Sequence, residues 1–167
     1  SWYDPKGEEE AAKTLLNMNC DVIAQHCDTV YPQTLAQQKG VYSIGYNSDM
    51  SKEAPEACLC SVIWNWSAYY TSAVQSVIDG TWDGSNYYGG MNENLVSITS
   101  IADFAAAATK EKVNMAKQQI LSGKNGVFDG VIETNTGATV GTAGKTLEDS
   151  VITGGINWYF KTVKVIE

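Results

Sequence analysis

What this chain of 167 residues lacks narrows the field first. No apolar run approaches the roughly 20 residues that a membrane-spanning helix requires. Histidine occurs once, at His26, and there is no pair of CxxC hooks, so the usual donor sets for a structural zinc are missing. Four cysteines (Cys20, Cys27, Cys58 and Cys60) are too few for a disulfide scaffold at this length. Buried structural thiols are the expected state, with a disulfide as the alternative, and Cys58 and Cys60 are expected to face opposite ways along one strand. No GxSxG elbow, P-loop or GxGxxG fingerprint is present. Basic residues are outnumbered, 11 against 19 acidic ones, for a net charge of −8. A nucleic-acid backbone needs a basic face, so no nucleic-acid partner is expected. No metal or cofactor is expected either.

What is present describes a globular protein. Hydrophobic residues make up 44% and charged residues 18%, and the length suits one well-buried core. Ser1 is not a natural start, so the chain is expected to be mature or truncated, with an upstream segment removed.

Asp4-Pro5 predicts a helix start, Asp capping free backbone N–H groups and Pro fitting the first helical position. Glu8, Glu9 and Glu10 then sit where carboxylates favour the positive end of the helix dipole. Ala11, Ala12, Leu15, Leu16 and Met18 give that helix an apolar face. Residues 21–24 read as a buried strand, and Tyr31-Pro32 opens a second helix with Leu35 and Ala36 inward, ending at Gly40. Strands follow at 41–45 and 58–63. Helix–strand alternation at this tempo predicts parallel β-structure with crossover helices. Residues 66–80 predict an amphipathic helix whose Trp66, Tyr69, Tyr70, Ala73, Val74, Val77 and Ile78 share one face. Tyr87 to Gly90 and Leu95 to Ile98 are weaker strand candidates. A helix over 109–122 would turn Val113, Ala116 and Ile120 inward. A hairpin over 127–133 and 139–142, a short helix at 146–150 and a packing turn at 156–160 complete the chain.

Four polar-aromatic clusters stand out: Trp2-Tyr3-Asp4, Gln25-His26-Cys27-Asp28, Tyr46-Asn47-Ser48-Asp49 and Trp64-Asn65-Trp66. Three of them close a predicted strand. Ligands of open parallel sheets bind outside the carboxyl ends of the strands, so rings, amides and carboxylates along one such edge suit a flat, polar, hydroxylated small molecule.

The runs SWYDPKGEEEAAKTLL, DVIAQHCD, GVYSIGYNSDM, CSVIWNW and DGTWDG, with the tail GKTLEDSVITGGINWYF, resemble the basic membrane protein (BMP) family. Its members are substrate-binding lipoproteins of ABC importers, several of which bind purine nucleosides or bases. The resemblance implies an α/β fold of type I periplasmic binding protein kind: two lobes closing on ligand, each a mainly parallel sheet with helices on both faces. It also implies an extracytoplasmic location, periplasmic or as a membrane-anchored lipoprotein, and an ABC permease as partner of the full-length parent. Residues 1–167 would be the carboxy-terminal ligand-binding lobe, lacking the amino-terminal lobe and the strand expected before Ser1. In such a fold the chain crosses back, which would place 66–80 on the absent lobe and favour self-association of the piece. Nucleoside-binding members tend to carry Lys where Trp64 stands and Asp where Asn47 stands. Both departures fall on sugar contacts.

The candidate ligand residues are Trp2, Asp49, Asn47, Trp64, Asn65, Gln25, His26 and Asp28. Trp2 matches a family aromatic that stacks on the purine, and Asp49 a family carboxylate that accepts from ligand hydroxyls or ring N–H. Lobe-interface packing is the alternative for Trp2, and a loop cap before Ser51 for Asp49. Asn47 suits a heterocycle edge or a turn equally well. Trp64 would wall the cleft or fill the core, and His26 is as readily a structural histidine. Tyr69, Tyr70, Trp82 and Trp158 read as packing residues. An enzyme using Cys27 and His26 is a rival reading, opposed by their adjacency on a strand, which points them to opposite faces. A ligand-sensing receptor ectodomain is another.

Overall fold

The computed structural model describes residues 2–124 and 126–165; Ser1, on which the expectation about the chain's start rests, lies outside them. The chain divides into two units, Ser1–Lys110 and Glu111–Glu167.

The first unit runs α1 (Pro5–Asn17), β1 (Val22–Ala24), α2 (Tyr31–Gln38), β2 (Tyr42–Asn47), β3 (Cys58–Trp64), α3 (Ser67–Ile78) and β4 (Val96–Ile98). α1 begins as its sequence predicts. The Asp4 carboxylate accepts from the Gly7 N–H at 3.0 Å, and Glu8 Oε1 accepts from the Asp4 N–H at 2.9 Å. Together they satisfy two N–H groups that the helix start leaves open. Glu8 is buried, and its other oxygen accepts from the Thr29 hydroxyl, tying the helix start to the loop after β1. Gly40 ends α2 with φ +69°, a backbone that only glycine adopts without cost.

The sheet order is β1-β2-β3-β4. β1, β2 and β3 are parallel, and β4 is antiparallel to β3. This is the α/β fold class that the sequence predicts, with a mainly parallel sheet. α1 and α2 pack on the face that carries Ile23, in a cluster of Ala12, Ile23, Leu35 and Ala36. A second cluster, Met50, Ala54, Ala57 and Cys58, closes the connection from β2 to β3. β1 corrects the expectation of a fully buried strand: only Ile23 is buried, because β1 is an edge strand with one covered face.

The expectation that Cys58 and Cys60 face opposite ways does not follow from strand alternation. Regular alternation would put Cys58 and Cys60 on one face of β3. The pairing with β2 slips between Ser43–Cys58 and Ile44–Cys60, so β3 bulges at Leu59 and its phase shifts. Cys58 Sγ lies 3.7 Å from Ser61 Oγ and donates to the Cys60 carbonyl at 3.4 Å. All four cysteines are free thiols, and burial raises the Cys60 thiol above its ordinary pKa, with Cys58 nearby adding to the shift.

α3 forms where predicted, and Gly80 closes it with φ +70°. None of its residues is buried: Tyr70, Val74, Val77 and Ile78 are 57%, 60%, 61% and 72% exposed. Residues 87–90 form no strand.

α4 (Ala107–Leu121) begins in the first unit and continues into the second, followed by β5 (Asp129–Glu133), β6 (Thr139–Thr146) and α5 (Asp149–Gly154). Ile120 of α4, expected inward, is exposed, while Val113 and Ala116 are half-buried. β5 and β6 form the predicted hairpin around buried Ile132 and Thr134. β6 runs on to Thr146, whose hydroxyl donates to Asp129, so the short helix starts later than predicted. The expected packing turn at 156–160 instead extends the hairpin edge, with Phe160 bridging Thr134. Among the described residues no helix is long and apolar enough to cross a membrane, and no group of side chains could hold a metal ion.

Candidate ligand site

Because β1, β2 and β3 are parallel, their carboxyl ends fall on one edge of the sheet, and the predicted clusters stand there. Trp2 enters just before α1. Its carbonyl accepts from the Asp28 N–H at 2.8 Å, which fixes the chain at Trp2 against the loop after β1. The Glu8–Thr29 bond clamps the same two segments. A buried carboxylate with both oxygens engaged at this point serves placement of the site.

Three rings meet at this edge. His26 stands edge-on to Trp2, with ring centroids 5.4 Å apart, and edge-on to Tyr46 at 4.2 Å. Trp2 and Tyr46 face each other at 6.5 Å, 20° from parallel. Trp2 remains 60% exposed, leaving most of an aromatic surface open to a solute. Tyr46 was absent from the sequence-derived residues although it opens one of the four clusters; the signal was its place as the penultimate residue of β2, one position before Asn47.

Gln25 anchors rather than presents: its amide nitrogen donates to the Thr29 carbonyl at 2.7 Å and to Met50 Sδ at 3.1 Å. Its Oε1 is buried with no protein partner. Asp28 is exposed. Asn47 ends β2 with φ +69°, a left-handed conformation that asparagine tolerates better than most residues, and its side chain is exposed. Asp49 Oδ1 accepts from the Ser51 N–H at 3.0 Å, capping its loop. That N–H, then the Ser51 hydroxyl, and last the charge of Lys52 hold the Asp49 carboxyl below its ordinary pKa, so it is ionised at neutral pH.

The β3 end forms a second aromatic group. Trp64 stacks on Trp66 at 5.7 Å, Trp66 on Tyr70 at 5.9 Å, and Tyr69 joins Tyr70 to Tyr87. Asn65 has both amide atoms engaged, its nitrogen donating to the Asn94 carbonyl and its oxygen accepting from Ser67, so it ties β3 to the segment before β4. The structure therefore brings Trp2, His26 and Tyr46 together beside Gln25 and Asp28. It sets Asn47 next in register to the Trp64 end of β3, and it occupies Asn65 internally.

The model of the Bmp family, described as ABC transporter substrate-binding protein PnrA-like, matches residues 1–128. A purine-binding protein of Brucella abortus (strain 2308) is 33% identical over 159 residues, 95% of this chain and 45% of its own length. A putative ABC transporter glucose-binding protein of Haloferax volcanii is 32% identical over 130 residues, 78% of this chain and 33% of its own length. The chain thus spans less than half the length of these relatives. Among solved structures, a transcriptional activator of the comK gene from Bacillus halodurans superposes with a TM-score of 0.67 at 18% identity, over 75% of this chain and 45% of its own. An ABC transporter solute-binding protein from Conexibacter woesei gives 0.54 at 17% identity, over 74% and 42%. At such identities these structures speak for the fold alone.

Proposed function

The chain belongs to the Bmp family of PnrA-like ABC transporter substrate-binding proteins, and from that premise we propose that it is the carboxy-terminal lobe of a two-lobe solute-binding protein that presents a purine nucleoside, base or similar flat polar solute to an ABC permease. The observation that carries the reading is the Trp2–His26–Tyr46 group at the carboxyl edge of the parallel strands, with Trp2 widely exposed. A ring of that kind holds a planar base by stacking, worth roughly 1–3 kcal/mol. Asn47, Asp28 and ionised Asp49 supply amide and carboxylate groups for ring N–H and hydroxyl groups. Trp64 walls the far side of the edge. The purine-binding relative supports the purine class. Binding without chemistry fits this arrangement, since family members are substrate-binding proteins, and the extracytoplasmic side of a membrane is where such proteins work.

The exposed apolar stripe of α3 fits the same reading. It would lie against the amino-terminal lobe in the intact protein. Without that cover it is a surface for self-association.

The test is the solute that co-purifies with the intact protein, released by denaturation and identified by mass spectrometry. A purine base or nucleoside is the expected result. A solute without a planar ring, such as a hexose, would refute the purine class while leaving the transport family intact.

A further inference from the structure

Behind the sheet edge, one line of hydrogen bonds joins the segments that carry the candidate ligand residues. It starts just past Trp2, where Glu8 Oε1 accepts from the Asp4 N–H at 2.9 Å. Glu8 Oε2 accepts from the Thr29 hydroxyl in the loop after β1. The Thr29 carbonyl accepts from the Gln25 amide at 2.7 Å, and the same nitrogen donates to Met50 Sδ at 3.1 Å, in the loop after β2. The Met50 N–H in turn donates to Ser61 Oγ of β3 at 3.1 Å. Glu8, Thr29, Met50 and Ser61 are all buried. A helix cap would need only one Glu8 oxygen, and an exposed carboxylate could supply it. Burying the carboxylate costs free energy that both of its bonds are needed to offset.

Resting on the binding function proposed above, we propose that Glu8 and Gln25 are positioning residues: without touching the solute, they set where the Trp2 segment, the 26–28 loop and the 47–49 loop stand relative to one another. Thr29 is the joint between them, held through its hydroxyl by Glu8 and through its carbonyl by Gln25. Gln25 has its nitrogen engaged and its oxygen buried, so it has no polar atom to offer a solute. The Trp2 carbonyl also accepts from the Asp28 N–H. One hydrogen bond between two segments leaves rotation about it free, and the Glu8–Thr29 bond beside it removes that freedom. A site held in its binding geometry beforehand spends less of the contact energy on ordering itself.

The test is made on the intact protein labelled with fluorotryptophan, its Trp2 fluorine signal assigned by Trp2→Phe, and by calorimetric titration with adenosine. Thr29→Val removes the hydroxyl at nearly constant shape and leaves the α1 cap in place, whereas Thr29→Ser keeps the hydroxyl. Gln25→Met keeps the length of the side chain without its donors. Leu35→Ala, in the core between α1 and α2, lowers stability through a cavity without cutting the line. Thr29→Val should shift the Trp2 fluorine signal. Thr29→Val and Gln25→Met should each weaken adenosine about fivefold or more, the lower end of coupling between a site and a group outside it. Thr29→Ser and Leu35→Ala should leave both readouts near wild type. The double variant Thr29→Val with Gln25→Met should bind little worse than the weaker single one, because residues in one network do not add. A Trp2 signal unmoved by Thr29→Val, or moved as far by Leu35→Ala, would overturn the positioning role of Glu8. Adenosine affinity unchanged in Gln25→Met, with Trp2→Ala weakened, would overturn that of Gln25 and leave the binding reading standing. If the wild type binds glucose and not adenosine, the purine reading alone fails, and the fluorine shift upholds or overturns the positioning role by itself.

Discussion

At the scale of the residue, the site rests on side chains whose conformations are set by their neighbours. Asp49 is the clearest case. Its carboxylate is drawn below the ordinary pKa by the Ser51 N–H and hydroxyl and by Lys52. A carboxyl whose folded pKa is depressed adds stability above the unfolded value near 3.8, and that contribution is lost as pH falls through the lower folded value. A carboxyl carbon NMR titration should therefore give Asp49 a midpoint below 3.8, and Ser51→Ala should move it part of the way back by removing the hydroxyl. A midpoint at or above 3.8 would contradict the cap. In binding, Asp49→Asn keeps the shape but removes the charge and one acceptor, so it should cost about 1.5–3 kcal/mol of solute affinity by calorimetry. Unchanged affinity would confine Asp49 to its loop.

At the scale of the element, β2 and β3 carry the edge, and their close approach depends on Gly45. A Cβ there would press on the Ser61 hydroxyl and on Met50, and Ser61 Oγ accepts from the Met50 N–H at 3.1 Å. Gly45→Ala should lower stability by about 1–3 kcal/mol in urea unfolding, as overpacking does; a change within about 0.5 kcal/mol, the range of surface substitutions away from such contacts, would mean that the strands are free to part. The elements that local chemistry specifies were legible in the sequence. The Asp4-Pro5 start, the Gly40 stop and the three parallel strands all lie where capping and turn residues put them. What depends on distant partners was not. The antiparallel seat of β4, the bulge at Leu59 and the extension of β6 to Thr146 follow from register with other strands. The apolar periodicity of α3 told that a face exists, not what covers it. At the site, Trp2 and His26 were legible as a cluster, while the internal engagement of Asn65 and the ring contacts of Tyr46 needed the folded backbone.

At the scale of the whole molecule, Tyr70, Val74, Val77 and Ile78 leave an exposed apolar stripe on α3. Sedimentation velocity on this chain alone should show concentration-dependent association, and Val74→Lys with Ile78→Glu should reduce it while leaving the helical signal in place. A wild-type chain that stays monomeric at high concentration would contradict the docking role given to α3. A crystal structure of the intact protein grown with adenosine would show whether the solute lies against the carboxyl edge of β1 and β2. The purine ring is expected to stack on Trp2 at about 3.5 Å. A purine bound elsewhere, with Trp2 untouched, would contradict it.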